Sequence, residues 1–348
     1  MFNDWGGLPP SRSFLEEFVM KRILILLLCM VSIADATDYT IDSQQDLIDL
    51  TLLDGKFNGV LYGDNTFTLT TDIDLTDVDP LGDGKGWLPI GLWGSHAFFA
   101  GTFDGGGYTI SNMTINRPAT DQIGLFGAID PDMDGASYDG NPIKDLAVVD
   151  ANVIGNSMVG VLIGGILGMG ISNDYPVKNC YVTGTVTAGD GGYCGGFVGY
   201  SNNGYFLDCY ADVTVNSIFS DCLLGGFVGY DTIGTDAVNC YSIGLINNSA
   251  PVTGDTHAGG FVGQVADVYA TYCFWDTDTS AKISDGTGGD ATGKTTSQMQ
   301  NQSTFIDWDF TDQWWMPAGE YPKLRVFGGI IESASVDTLR QRTRGRSR

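Results

Sequence analysis

Glutamate is nearly missing from this sequence. Of 42 acidic residues only four are Glu (Glu16, Glu17, Glu320 and Glu332), and the other 38 are Asp. Glu suits helices, whereas Asp bonds its own backbone locally and belongs in turns and caps. The charge is therefore mostly a record of turns. Basic residues are equally scarce. From Thr37 to Leu339 there are nine Lys or Arg against 38 Asp or Glu, a net of −29. That balance excludes nucleic acid as a partner, keeps the protein soluble outside a cell and permits divalent cations. Histidine occurs twice, at His96 and His257, and no His-Glu-x-x-His stretch is present. There is no collagen-like glycine period, and 43% apolar residues are too many for a disordered chain. The remaining possibility is a globular, turn-rich protein, in keeping with its 49 glycines.

Long apolar runs are absent as well. Ile23 to Ile33 follows the basic Met20-Lys21-Arg22 and precedes Ala34-Asp35-Ala36. A basic start, a short apolar stretch and a small-residue cleavage site read as a secretory signal peptide over 20–36. The run is short of the roughly 20 residues that span a bilayer, so no membrane span is expected after cleavage. Residues 1–19 fit no part of such a signal, and the expected start is Met20.

Against these absences stands a repeat. Gly164-Gly165-Ile166-Leu167-Gly168 returns as Gly195-Gly196-Phe197-Val198-Gly199, as Gly225-Gly226-Phe227-Val228-Gly229 and as Gly259-Gly260-Phe261-Val262-Gly263. Ile123-Gly124-Leu125-Phe126-Gly127 is a degenerate first copy. A second motif accompanies the first: Asn179-Cys180-Tyr181, Asp208-Cys209-Tyr210, Asn239-Cys240-Tyr241 and Tyr272-Cys273-Phe274. Alternating stretches such as Tyr181-Val182-Thr183-Gly184-Thr185-Val186-Thr187 read as strands, with Gly/Asn/Asp clusters as turns. A unit of about 30 residues cannot bury an apolar face alone, whereas stacked copies bury a continuous core. The expected fold is therefore an all-β, right-handed single-stranded β-helix (β-solenoid) over 101–273. A propeller, whose blades need about 40–45 residues, is the competitor. An N-terminal cap with a helix from Gln44 to Leu53 is expected over 37–100. A Trp-rich C-terminal cap over 274–327 should cover the open core of the last coil, and 328–348 is an Arg-rich tail expected to be disordered.

These motifs resemble the GLUG-repeat proteins. Gly101-Thr102-Phe103-Asp104-Gly105-Gly106-Gly107-Tyr108-Thr109-Ile110-Ser111-Asn112 is similar to their opening coil, and the GG-(F/I)-(V/L)-G and N-C-Y copies are similar to the repeat itself. Phe274-Trp275-Asp276-Thr277, Thr295-Thr296-Ser297-Gln298-Met299-Gln300 and Trp308-Asp309-Phe310 resemble the closing pattern. The resemblance covers roughly 65–327. It implies an adhesin-like β-helix on a bacterial surface or in the secreted fraction. GLUG repeats also occur beside the metallopeptidase domain of immunoglobulin A peptidases, and the resemblance implies no catalytic residues.

Candidate sites are few. Asp130-Pro131-Asp132-Met133-Asp134-Gly135 matches the start of a calcium loop, so Asp130, Asp132 and Asp134 can offer hard oxygen ligands to Ca²⁺. A solvated loop is the alternative, because Asn141 stands where a bidentate Glu would close an EF-hand. Asp72 and Asp74 alternate with Ile73 and Leu75 and read as the outer face of a strand. Cys180, Cys209, Cys240 and Cys273 take one position per coil and are expected as a column of buried thiols, poorly aimed for disulfides. Cys194 and Cys222 fall outside that column and can pair. Tyr181, Tyr210 and Tyr241 follow the Cys residues and point the other way. If Cys faces inward, they form an exposed row able to bind a surface glycan or a host or neighbour-cell protein. The opposite phase buries them. The function expected is a secreted or cell-surface, monomeric, non-catalytic binding module with no cofactor unless Ca²⁺. A carbohydrate-active β-helix enzyme and a structural matrix component are the alternatives.

Overall fold

The structure, a computed structural model, describes residues 38–52, 65–91, 98–130, 142–167 and 176–328, apart from 220, 233, 249–256, 266–267, 283 and 287–288. The signal-peptide segment, Asp132, Asp134 and the Arg-rich tail lie outside the described residues.

Each turn of chain visits the same faces in the same order. In the third turn, Val177–Lys178 joins an eight-stranded sheet and Tyr181–Thr187 a ten-stranded one. Tyr193–Gly195 then enters a three-stranded sheet and Val198–Ser201 a five-stranded one, before Tyr205–Leu207 returns to the first. Every strand pairing in these four sheets is parallel, for example Tyr181 with Tyr210 and Val198 with Val228, and the register slips between Val182 and Gly184 where Tyr181–Thr187 pairs with Ala147–Ile154. This is a β-solenoid, with one strand of the five-stranded sheet for each of five turns.

Register stacks like on like. Phe197, Phe227 and Phe261, one from each glycine motif, form an internal stack with centroids 4.5 and 4.9 Å apart. That is the inter-strand spacing of about 4.8 Å. Identical neighbours stack on one another, and all three rings are fully buried. The flanking glycines exist for close approach. A Cβ at Gly195, Gly225 or Gly259 would lie 2.1, 1.8 or 1.9 Å from the carbonyl oxygen three residues on, so the corner closes only without a side chain.

At the N-terminal end Asp38–Ile41 pairs with Thr66–Leu69, and a helix over Gln44–Leu52 follows. Its Leu47 and Leu50 are buried in the solenoid core. Ile73 and Leu75 point inward and Asp72 and Asp74 outward, as the alternation requires. Arg117 pins this region: its buried guanidinium reaches Asp83 at 3.1 Å and the carbonyls of Gly86 and Trp87 at 3.3 Å.

The C-terminal segment departs from the expected arrangement. Trp275 does enter the main core, but Trp308 and Trp314 do not cover the end of the last coil. They belong to a second apolar cluster with Met299, Phe305 and Leu324, laid along the outside of the ten-stranded sheet. This strap is fastened by Trp314–Trp315 pairing antiparallel with Lys323–Leu324.

Candidate functional site

The Asn-Cys-Tyr motif is a corner between two sheets, and each of its residues has a separate task. The residue before Cys is left-handed, with φ 52° at Asn179 and Asp208, 53° at Asn239 and 54° at Tyr272, and so is its counterpart Asp145 before Leu146, at 51°. Asn and Asp tolerate that region better than other side chains. Their side chains also bond along the axis, Asn179 Nδ2 donating to Asp145 Oδ1 at 2.8 Å and Asn239 Nδ2 to Asp208 Oδ1 at 3.2 Å. The Cys then turns inward. Cys180, Cys209 and Cys240 each donate S–H to the carbonyl two residues back, at 3.1, 3.3 and 3.3 Å. Burial pushes these three thiols well above their usual pKa. All six described cysteines are free and buried, so the pairing of Cys194 with Cys222 does not occur. Cys222 instead donates to the carbonyl of Gly189 at 2.9 Å.

The Tyr turns outward and meets a cover. Tyr181, Tyr210 and Tyr241 form a ladder with centroids 4.8 Å apart and planes within 5°. The expected exposure fails, because the strap lies over the row. Tyr210 is 9% exposed and Tyr241 1%. Tyr241 Oη donates to Pro322 O at 2.6 Å, and Trp314 packs on both Tyr210 and Tyr241. Tyr181 is half-buried, with Phe327 edge-on to its ring. Cys faces inward and Tyr outward, yet a side chain directed outward from its own strand is covered here by another part of the chain. Trp314 also donates its indole N–H to Asp208 Oδ1 at 2.9 Å. Asp208 is raised above the usual carboxylate range, first by burial, with the Trp314 and Asn239 hydrogen bonds opposing.

A second group of tyrosines is open to solvent on one side. Tyr200 and Tyr230 sit in register on adjacent strands of the five-stranded sheet, and Gln264 takes the next place. Tyr193 comes in from the adjoining three-stranded sheet, its centroid 4.7 Å from Tyr230 and 6.1 Å from Tyr200. All three are half-buried. Tyr200 Oη is 3.0 Å from Thr232 Oγ1, which sets the tilt of that ring. Their signal in the sequence is a Tyr directly after the Gly-Gly-Phe-Val-Gly motif in two consecutive copies.

Of the proposed calcium ligands only Asp130 is described. It is half-buried, and its N–H donates to Phe99 O at 3.1 Å. Among the described residues no group of three or more His, Cys, Asp or Glu is placed to hold a metal ion.

No family model matches the chain. Over 164 residues, 46% of its length, it is 32% identical to Halomucin of Haloquadratum walsbyi. Over 64 residues, 18% of its length, it is 47% identical to a "Putative Gly-rich membrane protein" of Evansella cellulosilytica. The matches span 2% and 7% of those two proteins, so this chain corresponds to a small part of each. Among solved structures, a "putative immunoglobulin A1 protease" from Bacteroides ovatus superposes with a TM-score of 0.53. The superposition takes in 83% of this chain and 92% of that one, at 17% identity. What is shared is the fold.

Proposed function

We propose that this chain is a non-catalytic binding module displayed outside the cell, and that its ligand is a surface glycan held against Tyr193, Tyr200 and Tyr230. The observation that carries this reading is the open tyrosine group on adjacent turns of a rigid scaffold. Aromatic faces are large apolar surfaces with a polar tip, suited to stacking on sugar rings. Turns about 4.8 Å apart present such faces at a regular interval. The ligand is not a polyanion, because the chain is strongly acidic. The GLUG-type motifs, the signal-like leader and the names of the two relatives support an extracellular place. Calcium at Asp130, Asp132 and Asp134 belongs to the same proposal as an optional stabiliser of the loop.

The test is a panel of polysaccharides and host glycans, with and without Ca²⁺, scored for retention and for released fragments in the same wells. Retention without fragments, weakened about tenfold or more by the pair Tyr200→Ala and Tyr230→Ala, is the expected result. Released fragments would overturn it in favour of a carbohydrate-active enzyme. Retention indifferent to the tyrosine pair would remove them as the site, and silence with glycans but capture of a host surface protein would replace the ligand class.

A further inference from the structure

The Asn/Asp ladder is covered by the strap along only part of its length. At the Asp208 rung the Trp314 indole closes the gap. One rung back, at Asn179, the strap stands off and leaves a cavity of about 300 Å³. Asp145 and Asn179 of the ladder line it, facing Asp312, Gln313, Arg325 and Val326 of the strap. Asn179 Nδ2 donates to Asp145 Oδ1, while its Oδ1, like Asn239 Oδ1 further along the ladder, is buried with no hydrogen-bond partner.

We infer that this cavity is a binding site for a single neutral sugar unit, distinct from the tyrosine group and independent of it. Size decides the first part. Ligand pockets run from roughly 300 to 1,000 Å³, so this one sits at the small end and takes a unit rather than a chain. The lining decides the second. Carboxylates and amide oxygens accept, while a guanidinium and an amide N–H₂ donate. A sugar hydroxyl does both at once and satisfies such a mixed wall. Charge decides the third. Arg325 is the one cation in the lining, facing Asp145 and Asp312, because Lys144, 4.0 Å from Asp145, is paired at 2.5 Å with Asp104. The surroundings carry more carboxylates than cations, so an anionic ligand would be desolvated against like charge. Val326 supplies the apolar patch on which a ring face can rest.

The experiment is saturation-transfer NMR on the full chain with free hexoses, N-acetylhexosamines and hexuronates. Neutral sugars are expected to bind at about millimolar affinity, as suits a ligand of that size. Hexuronates should bind about tenfold more weakly. Asp312→Asn and Gln313→Ala, both on the strap surface, should each weaken the neutral sugar about fivefold or more with the unfolding midpoint unchanged. The pair Tyr200→Ala and Tyr230→Ala should leave it untouched while abolishing retention on polymeric glycan, which separates the two sites. No transfer to any neutral sugar would overturn the assignment. Transfer indifferent to both strap variants would overturn it too, and so would equal binding of hexuronates.

Discussion

Asp285 stands where the next turn's Phe261 would be. Within the solenoid, the N–H groups of Phe227 and Val228 both donate to the carbonyl of Phe261, at 2.7 and 3.0 Å, and Phe197 and Val198 donate in the same way to Phe227. Phe261 and Val262 have no following turn. Their N–H groups donate instead to Asp285 Oδ1, each at 3.1 Å, while Oδ2 accepts from Ala291 N at 2.8 Å. One carboxylate thus stands in for a missing backbone carbonyl and closes an edge that would otherwise invite pairing with another chain.

Removing that carboxylate should therefore cost stability. Asp285→Ala leaves three N–H groups without their acceptor, at about 1–3 kcal/mol for each that stays dry. A loss of about 2–4 kcal/mol in denaturant unfolding, with some end-to-end association in light scattering, is the expected outcome. A change under about 0.5 kcal/mol would show that water replaces the side chain.

The same residue sets a pH dependence. Burial pushes the Asp285 carboxyl up to about 7 against its three N–H donors. Because the folded value lies above the unfolded one, its contribution is fully present below about pH 4 and is lost as pH rises through 7. Burial raises Asp208 and Asp212 in the same direction. The stability advantage of the native protein over Asp285→Asn should therefore shrink between pH 5 and pH 8. Thermal unfolding of both proteins at the two values checks it, and a growing advantage would contradict the assignment.

Trp314 makes two separable contributions, an apolar face on the tyrosine ladder and an N–H to Asp208. Trp314→Phe removes mainly the N–H and should cost about 1–3 kcal/mol. Trp314→Ala removes both and should cost about 3–5 kcal/mol. In limited proteolysis the Ala variant should be cut first within 300–327. Cleavage elsewhere first would mean that the strap does not depend on this residue.

At the corner, Asn239 combines a left-handed backbone with a hydrogen bond to Asp208. Asn239→Ala should destabilise by about 2 kcal/mol, since it loses the bond and keeps the strain. Asn239→Gly should recover part of this, because Gly takes that backbone freely. Equal losses in the two variants would put the whole effect on the side chain.

Thiol labelling checks the cysteine column. The six described thiols should not react in the native protein, and all should react in denaturant without a reducing agent. Any that stay unreactive when unfolded would indicate a disulfide.

Much of this molecule is written in short-range pattern. A residue and its counterpart one turn on are about 30 positions apart, as with Tyr210 and Tyr241 or Val198 and Val228. Each repeat therefore carries its own instructions, a glycine corner, a left-handed Asn or Asp, an inward Cys and an outward Tyr, and stacking follows from having copies. The sequence by itself determined the solenoid and the length of its turn, because those depend on one repeat and its nearest neighbours. Only the tertiary structure decided what lies over the outward residues. Tyr241 reaches Pro322 and Asp208 reaches Trp314 across segments with no repeat relation to each other. No periodicity encodes such contacts. They arise because a non-repeating segment with buried Trp and Phe has to cover its own apolar side, and the tyrosine ladder is where it does so. The same holds for Asp285, an ordinary turn residue in the sequence until the chain runs out of turns.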